Sequence, residues 1–500
     1  MKFFKEYILP DKERRTFLLL AVFFTITQLI LLKSLYPFAD YIPDSDSYIE
    51  AAARNDSVSM WPIGYSKFLR LFGTIFRSDL SLVCCQYILI ETSVLFFFFT
   101  ILFFFKPGRK VRWALFLFCT INPLYLYLAN FITSDALFLS GSLIWVSTLI
   151  WILHRPSLGL ILAQAVTLVF LFTIRYNALY YPFLLGTALA LAPIRLRQKI
   201  AVFIISCLLI IGFAQYTKSQ FKIATGAQTF SPFSGWQLSN NALYVYQAQY
   251  KRNPVNVPSQ FTTLDMMVRQ FYDTIGHRPL HPDGSFFLWS LQSPLKQYLI
   301  VTTKPGTLTY FKAWSRMGTT YDNYGKFIIR HYPITFITQF VWPNVLRYFN
   351  PSREFLNTYN MSRDSVTKNE ADWFKYPSQR VTVFSKTLQG SMLHFASGFN
   401  LGCNLLFVIF LGCYVGARRY KLVSKSFNKF LGIAFSLFVI NFLFSIIASP
   451  IVLRYQVFPM TVYFFASLML GDTLLKTDTP SSSILEGQAR ESQPARIEEV

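Results

Sequence analysis

Residues 80–105 read LSLVCCQYILIETSVLFFFFTILFFF, and residues 106–112, KPGRKVR, follow at once. The run carries one charge, Glu91, and no polar face, so it cannot be the amphipathic helix of a soluble protein. It has the roughly 20 apolar residues that an α-helix needs to cross about 30 Å of hydrocarbon. Lys106, Arg109, Lys110 and Arg112 form the kind of basic flank that stays on the cytoplasmic side of a bilayer. Outward from this stretch, comparable runs lie at 16–35, 113–132, 136–153, 157–174, 178–193, 200–217, 394–416, 430–450 and 455–472. The weakest is 178–193, shortened by Pro182 and Pro193. The fold class expected is an all-α polytopic membrane protein with about ten transmembrane helices and external juxtamembrane helices. Composition excludes the several soluble domains that 500 residues would otherwise suit, because only 14% of the chain is charged, against about 25% in soluble proteins.

The connecting charges orient these spans. Lys2, Lys5, Lys12, Arg14 and Arg15 precede the first, Arg155 follows the fourth, and Arg195, Arg197 and Lys199 precede the seventh. Arg418, Arg419, Lys421, Lys425 and Lys429 lie between the eighth and ninth. With the N-terminus in the cytoplasm, every short basic loop falls on one side. The net charge of +22 is thereby explained by membrane orientation, and no nucleic-acid partner is expected. The first run lacks a small-residue cleavage site and reads as a retained span. The chain divides into an N-terminal transmembrane core over 1–217, with a first external loop at 37–79, and an extracytoplasmic region over 218–393. C-terminal transmembrane helices follow over 394–473, then a disordered cytoplasmic tail over 474–500. Within the long external region, 327–349 is apolar but broken by Arg330, His331, Pro333, Pro343 and Arg347, which suits amphipathic helices lying at the interface.

Conspicuous polar residues gather on the outer side. The first external loop holds Asp40, Asp44, Asp46 and Glu50. Ser134 and Asp135 occupy a short second loop, Arg175, Tyr176 and Asn177 a third, and Arg454 and Tyr455 the last. Pro43 and the following Asp/Ser cluster start a helix that Ala51 to Ala53 continue. Asp44 and Tyr48 share one face of it, Asp46 points elsewhere, and Asp44 or Ser45 could serve only as the helix cap. Trp61-Pro62-Ile63-Gly64-Tyr65 then turns into a second amphipathic stretch at 65–76. Glu91 is an intramembrane carboxylate, a functional candidate by default, with protonation inside the bundle as the plain alternative. His154, His277, His281, His331 and His394 lack metal spacing, and the six cysteines read as buried apolar side chains. No nucleotide-binding glycine loop is present.

Asp44-x-x-x-Tyr48, Pro62-x-Gly64-Tyr65, the Thr133-Ser134-Asp135-Ala136-Leu137-Phe138 opening of a span, Arg175-Tyr176-Asn177 and Arg454-Tyr455 together resemble the GT-C glycosyltransferases. The likeness is to the branch of protein O-mannosyltransferases and lipid A aminoarabinose transferases, and covers the layout of roughly residues 15–220 plus the Arg454-Tyr455 pair. It implies a polyprenyl-phosphate-linked sugar donor, a lipid, glycan or protein acceptor, and an extracytoplasmic site in a membrane such as the bacterial inner membrane. On that resemblance Asp44 is the general base, and Arg175 and Arg454 hold the lipid phosphate. Tyr48, Asp46, Asp135, Tyr176 and Tyr455 complete the substrate site. The sequence departs from the family where an Asp-Glu pair is common, since Ser45 follows Asp44 and Asp135 stands alone. Binding of Mg or Mn at Asp44 and Asp135 is therefore open. The alternatives are an O-antigen-type polymerase or ligase, and a flippase or transporter of lipid-linked glycans.

The chemistry wants such residues. An attacking hydroxyl must lose a proton, and a free aspartate, with a pKa near 3.9, is a weak base until desolvation raises it. A leaving phosphate gains charge that a guanidinium can meet with two parallel donors.

Overall fold

The computed structural model describes residues 4–276, 284–303, 308–448 and 450–475. Among these the regular elements are helices, joined by three isolated bridge pairs and no strand. His277, His281 and the 476–500 part of the tail lie outside the described residues.

Among the described residues, eight helices are long and apolar enough to cross a membrane. The first, α1 (Lys12–Leu35), starts where the Asp11 carboxylate accepts the Arg14 N–H at 2.8 Å. Two short helices, α2 (Pro43–Arg54) and α3 (Gly64–Gly73), precede α4 (Asp79–Phe105). The expected 113–132 span is Arg109–Asn130, bent into α5 (Arg109–Ile121) and α6 (Pro123–Asn130). Pro123 has no N–H to continue the first helix, and Asn122 caps the second through Leu124 N–H at 3.1 Å. Next comes α7 (Asp135–His154), the most enclosed of the eight.

Two of the ten expected spans form shorter helices. The 17 residues of α8 (Leu158–Ile174) and the 11 of α9 (Tyr181–Leu191) fall below the length of the other eight, with a 3-10 turn at Tyr176–Tyr180 between them. Pro182 sits in the first turn of α9, where its missing N–H costs nothing. The long α10 (Leu196–Thr225) ends at Gly226, whose φ of +77° suits a residue without a Cβ. The remaining crossing-length helices are Leu388–Gly416, Lys425–Ala448 and Leu453–Leu475.

Within the 218–393 segment, side chains from Trp236 to Phe340 form a hydrophobic core of their own, while Leu356, Tyr359, Phe374 and Val381 join the core of the bundle. The frame of the former is the pair α11 (Pro232–Tyr246) and, after α12 (Thr262–Ile275), α13 (Phe286–Trp289) and α14 (Pro294–Thr302), the long α15 (Tyr310–His331). Trp236, Trp314, Tyr321 and Tyr324 are buried between them. The two helices touch backbone to backbone: a Cβ on Gly235 would lie 1.8 Å from the Gly318 carbonyl oxygen. The 327–349 stretch continues through α16 (Pro333–Phe336), a π turn and α17 (Trp342–Phe349). Ile334, Ile337, Trp342 and Leu346 stay exposed, while Tyr348 packs on Phe442. One side of this segment thus leaves apolar side chains bare. Then follow α18 (Lys368–Phe374), α19 (Leu388–Met392), α20 (Ala396–Gly416), α21 (Lys425–Ala448) and α22 (Leu453–Leu475). The six cysteines are free; Cys119 and Cys403 are buried as expected, but Cys413 is exposed.

Candidate functional site

The end of the bundle that carries both long segments draws five distant stretches of chain together. The approach to α2 is pinned first. Asp40 N–H donates to the Asn130 carbonyl at 2.9 Å, and Ile132 N–H returns to the Asp40 carbonyl at 3.1 Å. That bridge sets the start of α2 beside Thr133-Ser134-Asp135 at the head of α7. Ile42 is the N-cap of α2, and its N–H donates to Ser45 Oγ at 3.0 Å. Ser45 therefore makes the capping contact, and Asp44 is left free of it.

Asp135 is the buried anchor. Its Oδ1 accepts from Arg175, its Oδ2 from Arg454 at 3.1 Å and from the Thr133 hydroxyl at 2.8 Å. Arg175 follows α8 directly, and Gly64 of α3 holds that turn closely: a Cβ there would lie 2.4 Å from Thr173 Oγ1. A glycine in Pro62-Ile63-Gly64-Tyr65 thus has a packing reason. Tyr65 donates to Gln86 at 2.9 Å and meets Tyr48 edge to face, and Tyr48 donates to Ser134 Oγ at 3.2 Å.

Arg454, at the start of α22, stands among three carboxylates. Its Nε donates to Glu354 at 3.0 Å, one amino group to Asp135, and the other lies 3.6 Å from Asp44. Tyr455 presents its ring to both guanidiniums, 4.0 Å from Arg175 and 4.6 Å from Arg454. Pro459 has no N–H for the Tyr455 carbonyl, which loosens the helix at this turn.

Of Asp40, Asp44, Asp46 and Glu50, three are occupied in building structure. Asp40 is buried and accepts the Asn360 N–H at 2.8 Å; burial pushes its carboxyl up to about 8. Asp46 accepts from Thr367 at 2.7 Å on the far side of α2, as the helix periodicity requires. Glu50 pairs with Arg54 one turn on. Asp44 keeps 16% of its side chain open and touches Arg454 only at long range. Burial, opposed by Arg454, pushes its carboxyl up to about 6.

No family model, curated protein or solved structure matches this chain. Its chemistry rests on the residues alone.

Tyr176 stands apart from the cluster, packed on Phe230 and Phe172. Glu354 is the participant that the sequence reading missed. It is the sole acidic residue between Asp322 and Asp364, which is the signal that could have marked it. Its backbone is left-handed, φ 49°, a strained conformation for a residue with a Cβ, and such strain gathers at functional sites. Among the described residues no group of three side chains is arranged to hold a metal. Arg454 takes the place between the carboxylates that a divalent cation would need, and both Asp135 oxygens are committed to guanidiniums, so Asp44 and Asp135 do not fit Mg or Mn. Glu91 is buried in α4 and bonds to none of these residues; its Oε2 has no hydrogen-bond partner. Two large cavities, one polar and one apolar, open elsewhere, and neither is lined by Asp44.

Proposed function

We propose that this protein is a GT-C-like membrane glycosyltransferase that moves one sugar from a polyprenyl-phosphate donor to a hydroxyl of an extracytoplasmic lipid, glycan or protein. The observation that carries the reading is Asp44: a part-open carboxylate with its pKa raised to about 6, beside two guanidiniums in a largely buried site. Asp44 takes the proton of the acceptor hydroxyl as its oxygen bonds to the anomeric carbon. The bond from that carbon to the phosphate oxygen breaks, and the phosphate leaves with the electron pair. A single displacement of this kind inverts the anomeric centre.

Arg175 has one amino group on Asp135 and its face on Tyr455, which leaves donors for the phosphate. Arg454 can join by trading its longest contact, the one to Asp44. That exchange would remove the cation that lowers the Asp44 pKa and make the carboxylate a stronger base as the donor binds.

The test is transfer of labelled sugar from polyprenyl phosphate by the full chain in proteoliposomes. A base with a pKa of about 6 must be ionised to act, so the rate should rise with pH through that value and then level; one unit below it, about a tenth of the sites are competent. A profile flat across this range would remove Asp44 as the base. On this proposal the site lies on the extracytoplasmic side, with both termini cytoplasmic and α8 and α9 completing ten crossings. In a Cys413→Ser background, an impermeant maleimide added to intact cells should label Ser57→Cys and Ser259→Cys but spare Ser424→Cys. The opposite pattern would invert the topology. Glu91 is the feature that favours transport; substrate movement without bond cleavage in the same proteoliposomes would support that reading instead.

A further inference from the structure

On the other face of α2 lies a second polar site, a cavity of about 460 Å³, within the range of small-ligand pockets. Glu50, Ala53 and Arg54 wall it from α2, Arg70 and Arg77 from α3 and the turn beyond, and Asp372 and Trp373 from α18. The indole can lie there because residue 73 is glycine: a Cβ would come within 3.0 Å of it.

Two of the three guanidiniums, those of Arg70 and Arg77, are aimed by backbone carbonyls. Arg70 donates to the Ala52 and Ala53 carbonyls at 3.1 and 3.3 Å, the C-terminal end of α2, and Arg77 donates to the Gly73 carbonyl at 3.3 Å. Arg77 also stands 5.7 Å over the Trp373 ring. Arg54 pairs with Glu50, but among the described residues no carboxylate pairs with Arg70 or Arg77. Three arginines thus face two carboxylates, Glu50 and Asp372, so the lining keeps a net positive charge, carried by Arg70 and Arg77.

Depth in the bilayer names the anion. Arg77 comes two residues before α4, a helix fit to cross the membrane. Beside it Leu71, Ile75 and Phe76 are 68%, 70% and 53% exposed, a surface that hydrocarbon covers better than water. A cationic cavity at the head of a membrane helix, flanked by bare apolar side chains, meets phosphate and acyl chain together. We propose that this cavity binds the phosphate of one anionic phospholipid, with its chains against Leu71, Ile75 and Phe76. The inference does not depend on the sugar-transfer reading.

Native mass spectrometry of the purified full chain tests it, with dioleoylphosphatidylglycerol, dioleoylphosphatidylcholine and inorganic phosphate as probes. One phosphatidylglycerol should bind saturably, about tenfold more tightly than phosphatidylcholine, the difference expected of one charge-assisted contact. Arg70→Gln with Arg77→Gln should erase the preference. Ala53→Trp, which fills the cavity and keeps every charge, should weaken phosphatidylglycerol binding at least as much and covers the case in which the double variant fails to fold. Inorganic phosphate binding as well as the lipid would show a free-anion site and overturn the lipid assignment. Equal binding of the two lipids, or full binding by Ala53→Trp, would overturn the site.

Discussion

Asp44→Asn is expected to fold, to bind donor, and to lose about a hundred- to ten-thousandfold of its transfer rate, the usual loss when a general base goes. The substitution keeps the shape and removes only the ability to take a proton. A helix-capping role would leave it almost silent, because Asn caps as well as Asp, and the capping contact here belongs to Ser45. Asp46→Asn is the internal control. Asp46 accepts from Thr367 through Oδ1 and ties α2 to the cap of α18, a contact that the amide oxygen of Asn preserves. Donor binding measured beside transfer separates a lost base from a lost site. Equal activity in the two variants, or the reverse ranking, would sink the assignment.

Arg454→Ala should cost both activity and folded protein. With Arg454 gone, Glu354 loses its Nε–H partner, Asp44 the nearer of its two cations, and Asp135 one of two. Removing one member of a buried ion network leaves uncompensated charge, at about 3–5 kcal/mol, so thermal stability in detergent should fall along with transfer. Arg454→Lys keeps the charge but not the three-armed reach, and should recover stability before activity. Arg454→Gln is the more informative variant. Arg454 is the main influence holding the Asp44 pKa down against burial, and without it the acid limb of the rate profile should move above pH 6. An unshifted limb with full activity in Arg454→Gln would reduce the residue to a structural tie.

Run length and local composition determined the helices. A stretch such as 80–105 has nothing for water to solvate, so its burial in a bilayer follows whatever its neighbours do. Side and periodicity likewise nominated Asp44, Asp135, Arg175 and Arg454, because polar residues at the ends of apolar runs need a reason to be there. Where the pattern is short, the reading went only part of the way. Pro123 bent one expected span, and α8 and α9 are too short for length alone to decide their crossing.

The tertiary structure decided which of those polar residues meet. Arg454 reaches Asp135 across 319 positions and Glu354 across 100, and no local pattern encodes such a pairing. Asp40, Asp44, Asp46 and Glu50 look alike in sequence. Only packing shows that Asp40, Asp46 and Glu50 are taken up by Asn360, Thr367 and Arg54, leaving Asp44 open. It also shows Tyr176 turned away to Phe230 and brings in Glu354, whose neighbours in the chain carry no signature of a site. Helix formation is a local balance of hydrogen bonds and solvation, legible one stretch at a time. The charge state and partners of a carboxylate are set by whatever the fold places within a few ångströms, and that is a property of the whole chain.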